Sequence, residues 1–277
     1  MNVNEIATAL TKEGEGMIKA DNCAFVPSRD AVAEIISDLQ SLMFPGFFKG
    51  MTGHTVSEGL ALVRAKLGAQ IERAYAFVGE DTSMSADACD KFLATLPKIK
   101  ALLLKDIEAL YLGDPAAKCR EEVLLCYPGF YAISVYRMAH ELYLIGVPLL
   151  SRMMTEYAHG KTGIDIHAGA TIGEYFFIDH GTGIVIGETT VIGNNVKLYQ
   201  GVTLGAKSFE LDENGNPVKD IKRHPNIGNN VVIYANATIL GGRTYIGDNC
   251  TIGASVWLTR SVEAGRTVYY EPSDSKK

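Results

Sequence analysis

A six-residue period dominates the second half of the chain. When the sequence is written in hexads from Gly163, six of the seven successive fourth positions hold a β-branched aliphatic residue, the column being Ile166, Ile172, Ile178, Ile184, Thr190, Val196 and Val202. A helix repeats every 3.6 residues and a simple strand every two, so neither accounts for this spacing. A strict hexad is typical of a parallel β-helix, in which each hexad forms one short wall.

The same period extends beyond the first column. A second aliphatic column comprises Ile186, Ile192, Leu198 and Leu204. After an irregular stretch the period resumes at Ile227, Ile233 and Ile239 and, after a slip of one residue, at Ile246, Ile252 and Leu258. Glycine and asparagine follow the aliphatic positions and are predicted to form the corners, where a positive φ is often needed: Gly173, Gly187, Gly193-Asn194-Asn195, Gly228-Asn229-Asn230 and Gly247-Asp248-Asn249.

One polar segment, residues 206–224, interrupts the hexads. It reads AKSFELDENGNPVKDIKRH and contains the turn string Glu213-Asn214-Gly215-Asn216-Pro217. We predict an insertion loop that leaves the β-helix, and long loops of this kind are usually functional or disordered.

The first half of the chain predicts helices. Ser28 is a plausible N-cap for the run that follows it. Thr55 and Glu58 have the spacing of a capping box ahead of a second apolar-periodic run. A third run begins at Ser85 and continues to Gly113.

Two more helices are predicted after Gly113. Asp114-Pro115 fits an N-cap followed by proline at the first helical position. A last long helix covers about 130–143, and the string HGKTG at 159–163 is a natural joint. The predicted fold is therefore α+β: an α-helical domain over 1–160, a left-handed parallel β-helix over 161–265 with the loop 206–224, and a C-terminal tail over 266–277.

Composition excludes several classes of function. The net charge is −6 and the pI about 5.6, so no basic field exists to hold a nucleic-acid backbone. The five cysteines are scattered without a CxxC pair, which predicts reduced thiols in a cytoplasmic protein rather than a zinc ribbon or a disulfide framework. The N-terminus lacks the features of a signal peptide, and the longest apolar stretch, Leu142–Leu150, is too short for a membrane span.

Polar side chains that interrupt the hexad pattern are the candidates for chemistry: Asp165, His167, Asp179, His180, Arg223 and His224, together with Asp114 at its predicted helix start. Asp165 and His180 are 15 residues apart, and a coil of three hexads, about 18 residues, places them on adjacent coils near one corner. A histidine oriented by a carboxylate can make an alcohol nucleophilic. Arg223 offers a cation for a carboxylate. For each of these residues, a solvated corner or a plain loop charge remains an alternative.

The strings around these residues resemble one family. DIHAGATIGEYFFIDHGTGIVIGETTVIG, YQGVTLG and RHPNIG are similar to the motifs of serine O-acetyltransferases, which catalyse the first committed step of cysteine synthesis. The upstream string GDPAAKCREEVLLCYPGFYAISVYRMAHELY resembles the last N-terminal helices of that family. The resemblance is continuous from about Asp114 to about Ser261, whereas residues 1–110 match only in being helical.

The resemblance implies roles for the polar residues. His180 would be the general base that takes the proton of the serine hydroxyl, and Asp165 would orient its imidazole. Asp114 and Asp179 would hold the substrate amino group. Arg223 would pair with the substrate carboxylate, with His224 beside it. Glu188 would lie near the site and support it.

The family also implies how acetyl-CoA is used. The co-substrate would lie in a groove between neighbouring subunits, its pantetheine arm passing Gly205, Ala206 and Ala235. The serine oxygen would attack the thioester directly, and protonated His180 would return its proton to the departing thiolate. No acyl-enzyme, bound cofactor or metal is predicted.

Partners follow from the same resemblance. L-serine and acetyl-CoA are the expected substrates, L-cysteine the expected feedback inhibitor, and a homo-trimer or a dimer of trimers the expected assembly. Two departures from the family pattern stand out, a longer loop and Ala206 in place of the second glycine of LGG. The C-terminus does not end in the isoleucine that inserts into O-acetylserine sulfhydrylase, so we do not expect a stable complex with that enzyme. Neither a nucleic-acid nor a membrane partner is predicted.

Three alternative functions remain at this point. A γ-type carbonic anhydrase also has a hexapeptide fold, but the six histidines lack the expected spacing for a zinc ion. An acetyltransferase with another hydroxyl acceptor, such as a sugar, would use the same fold and base. A non-enzymatic assembly scaffold would leave Asp165, His180 and Arg223 unexplained.

Overall fold

The computed structural model describes residues 1–12 and 23–269, and within them helices precede strands along the chain. The α-helices are α1 Val3–Lys12, α2 Arg29–Met43, α3 Val56–Val78, α4 Ser85–Gly113, α5 Arg120–Cys126, α6 Pro128–Ile145 and α7 Leu150–Thr162, with short 3-10 turns at Cys23–Phe25 and Thr82–Met84. This order confirms the predicted succession of a helical region and a β-helix.

The predicted helix starts are confirmed. The Ser28 side chain accepts a hydrogen bond from the Ala31 amide as the N-cap of α2. Thr55 and Glu58 form the complete capping box of α3. α4 begins at Ser85 and runs to Gly113, as its pattern predicts.

Two helix predictions are wrong. Asp114 is the residue that ends α4, not an N-cap; its carboxylate accepts the Ala116 amide at 2.8 Å in a turn, and α5 begins only at Arg120. An Asp-Pro pair serves a turn as well as a helix start, and here the turn is formed. The helix over 130–143 is not the last either, because α7 follows it and ends at Thr162, with Gly163 in the left-handed region at φ 70°.

The strands form three parallel sheets. They are β1 Asp165–Ile166, β2 Thr171–Ile172, β3 Phe177–Ile178, β4 Val185–Ile186, β5 Val191–Ile192, β6 Lys197–Leu198, β7 Thr203–Gly205, β8 Asn226–Ile227, β9 Val232–Ile233, β10 Thr238–Leu240, β11 Tyr245–Ile246, β12 Thr251–Ile252, β13 Trp257–Leu258 and β14 Thr267–Val268. Sheet A has the order β1-β4-β7-β10-β13, sheet B β11-β8-β5-β2 and sheet C β14-β12-β9-β6-β3. Successive strands therefore pass from A to B to C, which is the predicted left-handed parallel β-helix.

Both aliphatic columns point into this β-helix. Every residue of the two columns is buried. This includes Thr190, which occupies a position that isoleucine or valine holds elsewhere in the first column. The Thr190 hydroxyl oxygen has no hydrogen-bond partner. The first full coil is longer than three hexads, since Asp165 pairs with Val185. The next coil has the expected length, since Val185 pairs with Thr203.

The corners use glycine and asparagine differently from the prediction. Asn195, Asn230 and Asn249 have the positive φ values, between 56° and 60°. Gly173 and Gly193 do not; a Cβ at Gly193 would lie 2.8 Å from the Gly228 carbonyl oxygen of the next coil. These glycines are thus required by the close stacking of coils rather than by their own backbone conformation.

The helices pack on the first coil through a buried polar network. The Arg137 guanidinium of α6 donates two hydrogen bonds to Asp106 of α4, at 2.5 and 2.8 Å, and one to the Gly173 carbonyl at 2.8 Å. Asp106 also accepts the Phe176 amide at 2.9 Å. This network fixes α4 and α6 relative to the residues before β3, which matters for the site described below.

The insertion loop is an ordered hairpin. The Val218 amide donates to the Glu210 carbonyl at 2.8 Å, and Asp212 accepts the amides of Asn214 and Asn216 at the tip.

The predicted C-terminal tail over 266–277 includes β14, while residues 270–277 lie outside the described residues. Within the described ranges, no helix is long and apolar enough to span a bilayer.

Candidate active site

The first corner of the β-helix, between sheets C and A, receives the end of α4. Gly113 allows this approach, because a Cβ there would lie 2.5 Å from the Phe177 ring of β3. Gly129 at the start of α6 packs equally closely, at 2.3 Å from the Ile178 carbonyl oxygen. Asp114, the residue after Gly113, is therefore held near the corner, within electrostatic range of His180.

A tyrosine positions the Asp114 carboxylate. The Tyr127 hydroxyl donates to Asp114 Oδ2 at 2.5 Å, while the Ala116 amide donates to Oδ1. These hydrogen bonds, with a smaller contribution from His180, lower the pKa of Asp114. Asp114 is therefore a half-buried, ionised carboxylate at neutral pH, suited to an ammonium group.

His180 lies at the same corner and is exposed. Its side chain is 68% accessible, and its Nε2 lies 3.7 Å from Asp179 Oδ2. Asp179 also accepts the His180 amide at 2.8 Å. This hydrogen bond supports the left-handed backbone of His180, at φ 57°, a conformation that is unfavourable for a residue other than glycine.

Asp165 lies on the adjacent coil, at the start of β1, but the structure does not join it to His180. Among the described residues, its carboxylate is grouped instead with Glu156 and His159 of α7, with donor atoms within 4.8 Å of one another. Asp179 is thus the carboxylate nearest to the imidazole in a single chain. The predicted Asp165–His180 pair remains a prediction.

The second corner, between sheets A and B, carries the predicted carboxylate-binding group. Arg223 Nη2 donates to Glu188 Oε2, and both side chains are largely buried. Burial alone would raise the pKa of Glu188, but the hydrogen bond from Arg223 and the neighbouring charges lower it overall. The Tyr143 hydroxyl of α6 makes a longer contact of 3.4 Å with the other Glu188 oxygen.

His224 is buried beside this pair. Its Nδ1 accepts the Thr189 amide at 3.1 Å, and a Cβ at Gly187 would lie 2.1 Å from its ring, so glycine is required there. Burial, assisted by the charge of Arg223, lowers the pKa of His224 to about 4. His224 is therefore neutral at physiological pH and serves as a hydrogen-bonding group rather than a cation. Burial also lowers the pKa of His167, the remaining histidine at this corner.

The residues predicted to contact acetyl-CoA are divided between the two corners. Gly205 ends β7 and Ala206 follows it, on the side of sheet A where Arg223 lies. Ala235 follows β9, at the corner where His180 lies on an earlier coil. In one chain these residues therefore do not line a single groove.

The two corners flank the same wall, sheet A, and do not touch. β4 separates His180 from Glu188, and at about 3.3 Å per residue the width of that wall is on the order of 15 Å.

The sequence indicates the polar residues of both corners except Tyr127, Tyr143 and Thr189. Only Thr189 had a signal, since it belongs to the GET string; the tyrosines reach their corners through helix packing.

The fold and both corners define the class to which this chain belongs, that of hexapeptide-repeat transferases. Residues 224–260 match the family model for bacterial transferase hexapeptide (six repeats). The protein named serine acetyltransferase, plasmid, of Synechococcus elongatus is 44% identical in an alignment that covers 95% of this chain and 88% of its own length.

Other relatives agree. The serine acetyltransferase of Bacillus subtilis is 44% identical over 60% of this chain and 72% of its own length. The structure of Entamoeba histolytica serine acetyltransferase 1 in complex with L-cysteine superposes with a TM-score of 0.78 at 39% identity, covering 86% of each chain. The chain belongs to the serine acetyltransferase family, enzymes that produce O-acetylserine.

Proposed function

We propose that this enzyme moves the acetyl group of acetyl-CoA to the hydroxyl of L-serine by direct attack, the first step of cysteine biosynthesis from serine. The observation that supports this most strongly is the division of charges: two carboxylates and an exposed imidazole at the first corner, and a guanidinium with a neutral histidine at the second. An amino acid presents the opposite charges to such a pair of groups.

His180 is the general base in this mechanism. Its exposed imidazole accepts the proton of the serine hydroxyl as the oxygen attacks the thioester carbon. The C–S bond then breaks, and the same imidazole returns the proton to the thiolate of CoA. Asp165 is proposed to orient the imidazole, a role that requires a different rotamer of His180 from the one turned toward Asp179.

The substrate charges are matched by fixed groups. Asp114, held by Tyr127, and Asp179 bind the serine ammonium. Arg223 binds the carboxylate with donors that Glu188 does not occupy, and His224 lies beside it as a neutral donor or acceptor. Glu188 supports the site because its hydrogen bond with Arg223 fixes the orientation of the guanidinium plane for binding the serine carboxylate.

A ring of three chains brings the two corners together. Because both corners flank sheet A of one chain at a distance, we propose that the first corner of one chain faces the second corner of its neighbour. Val185 and Trp257 on the outer face of sheet A are 37% and 68% exposed, which favours cover by another chain. Gly205 and Ala206 of one chain and Ala235 of the next would then line one pantetheine groove, and the helical regions offer a surface for pairing two trimers.

Thiol release from acetyl-CoA tests the proposal. The purified enzyme should release CoA with L-serine but not with a sugar or without an acceptor, and a chelator should leave the rate unchanged. His180→Ala should lower kcat by roughly 10²–10⁴-fold, the usual contribution of a positioned general base. His54→Ala, which removes an exposed histidine of the helical region, is the matched control. A His180→Ala enzyme with the parent's rate would exclude His180 as the base.

A further inference from the structure

Three side chains that can ligate a metal ion meet where α7 leads into β1. Glu156, His159 and Asp165 each offer a donor atom, and these atoms lie within 4.8 Å of one another. Glu156 and His159 have the Glu-x-x-His spacing, which places a carboxylate and an imidazole on one face of a helix and recurs in the metal sites of helix bundles. Asp165 joins them from the start of β1. Neither Glu156 nor His159 has a role in the reaction described above.

The distance between two of these donors matches a metal site. Glu156 Oε2 lies 3.3 Å from His159 Nδ1. Two ligands of a tetrahedral zinc ion, each about 2.0–2.1 Å from the metal, lie about 3.4 Å apart. Arg152, one turn earlier on α7, is ion-paired with the other Glu156 oxygen, Oε1. Contacts of this kind orient ligating carboxylates, and here the contact leaves Oε2 facing His159.

Asp165 is available to complete the ligand set. Its carboxylate is half-buried and has no hydrogen-bond or ion-pair partner among the described residues. A partly buried carboxylate without a donor is under-satisfied, and a cation would satisfy it. Two carboxylates and one neutral imidazole balance the charge of a divalent ion and leave a fourth position for water.

The cluster is open to solvent. The His159 side chain is 43% accessible, and Glu156 lines a cleft of about 690 Å³ between α2 and α7. An ion can therefore reach the donors without opening the fold. Arg29, Arg152 and Lys161 line the same cleft. Their positive charges reduce the affinity for a cation, which favours reversible binding over a permanent structural ion.

The donor set selects among divalent ions. Imidazole is a ligand of zinc and its neighbours in the first transition row, whereas Mg²⁺ and Ca²⁺ prefer oxygen donors. We propose that Glu156, His159 and Asp165 bind a divalent transition-metal ion, and that the bound ion inhibits acetyl transfer by withdrawing Asp165 from His180. The inhibition rests on the proposed function, whereas the binding does not. The metal-free chain is the active enzyme, so a chelator leaves its rate unchanged.

Calorimetric titration with ZnCl₂ tests the site without turnover. The parent should show a binding step of one ion per chain. His159→Gln and Glu156→Gln should each weaken that step by at least about 10-fold, because each removes one of three ligands. His54→Gln and Glu72→Gln make the same changes at exposed positions of the helical region and should bind as the parent does. Excess MgCl₂ should leave the step unchanged.

Initial rates with and without zinc test the inhibition. Loss of the thioester absorbance is the suitable signal, because zinc would bind the thiol that a thiol assay detects. Zinc at a concentration that saturates the parent should lower its kcat by roughly 10–10²-fold, the loss expected of Asp165→Asn, with little change in the KM for serine. Without zinc, His159→Gln and Glu156→Gln should match the parent, and at the same zinc concentration they should retain most of their rate.

Several results would overturn the proposal. They are equal zinc binding or equal inhibition in the parent and His159→Gln, zinc binding that leaves the rate of the parent unchanged, and displacement of zinc by Mg²⁺. A failure of the proposed function looks different: the parent would consume no acetyl-CoA with serine even without zinc, while the titration would still report on the cluster.

Discussion

Asp179 accepts the backbone amide of His180 and places its second carboxylate oxygen 3.7 Å from the imidazole of the same residue. One carboxylate thus supports both the left-handed backbone and the side chain of the proposed base. Asp165, the residue that the sequence assigns to orienting this imidazole, lies one coil away and beside α7. The two carboxylates therefore compete for the same role.

Asparagine substitutions separate these roles. If Asp165 orients the base, Asp165→Asn should lower kcat by roughly 10–10²-fold, less than loss of the base itself, with little change in the KM for serine. If Asp179 binds the ammonium, Asp179→Asn should mainly raise that KM, by about 10–100-fold, because a charge-assisted hydrogen bond is lost.

Steady-state kinetics at saturating acetyl-CoA would distinguish kcat from KM in both variants. Asparagine retains the oxygen that accepts the His180 amide, so the backbone of the corner is preserved and a melting curve serves as the control. The reverse pattern, with kcat lost in Asp179→Asn and KM raised in Asp165→Asn, would exchange the two assignments.

Cysteine should compete with serine for the same site. It keeps the ammonium and the carboxylate and replaces only the hydroxyl by a thiol, so Asp114, Asp179 and Arg223 should bind it equally well. The Entamoeba histolytica relative was crystallised with L-cysteine. Initial rates over a matrix of serine and cysteine concentrations should show that saturating serine abolishes the inhibition; inhibition that persists would require a separate site.

The stability of the fold should depend on pH through His224. Its pKa is about 4 in the folded chain because of burial, compared with about 6.5 for an unfolded histidine. A lowered pKa means that folding favours the neutral form. The resulting contribution to the unfolding free energy, at most about 3 kcal/mol, is complete above pH 6.5 and is lost as the pH falls toward 4.

His224→Asn tests this dependence, since its Oδ1 can accept the Thr189 amide in place of Nδ1 without titrating. Urea unfolding between pH 7 and 4 should show a weaker loss of stability on acidification in His224→Asn than in the parent. His54→Asn, at an exposed position, should retain the slope of the parent. Parallel curves for the parent and His224→Asn would show that the acid sensitivity lies elsewhere.

The sequence predicted the parts of this molecule that repeat and missed those that depend on packing between unlike elements. The hexad columns predicted the β-helix because each column position has one environment, the interior, on every coil. The sequence indicates Asp114 as a site residue but predicts a helix start where the chain makes a turn, because an Asp-Pro pair is typical of both. Tyr127 had no signal at all: its hydroxyl reaches Asp114 only because Gly113 and Gly129 let two helices approach β3.

Arg223 provides the sharpest test of substrate recognition. Its guanidinium already donates to Glu188, so the carboxylate of serine must use the remaining donors of a group that is held in a fixed plane. A fixed, forked cation binds a carboxylate bidentately, which lysine cannot reproduce. Arg223→Ala should raise the KM for serine by on the order of 10–100-fold, and Arg223→Lys should raise it less.

Serine amide isolates this contact from damage to the hairpin that Arg223 joins. It has no carboxylate, so it should be a poor substrate of the parent enzyme but should lose little further activity in Arg223→Ala. Glu188 loses its ion-pair partner in Arg223→Ala, and melting curves of the alanine and lysine variants would measure that effect separately. If serine and serine amide lost activity equally, Arg223 would be holding the corner together rather than binding substrate, and Lys222, whose ammonium lies against Thr189, would be the next candidate for the carboxylate.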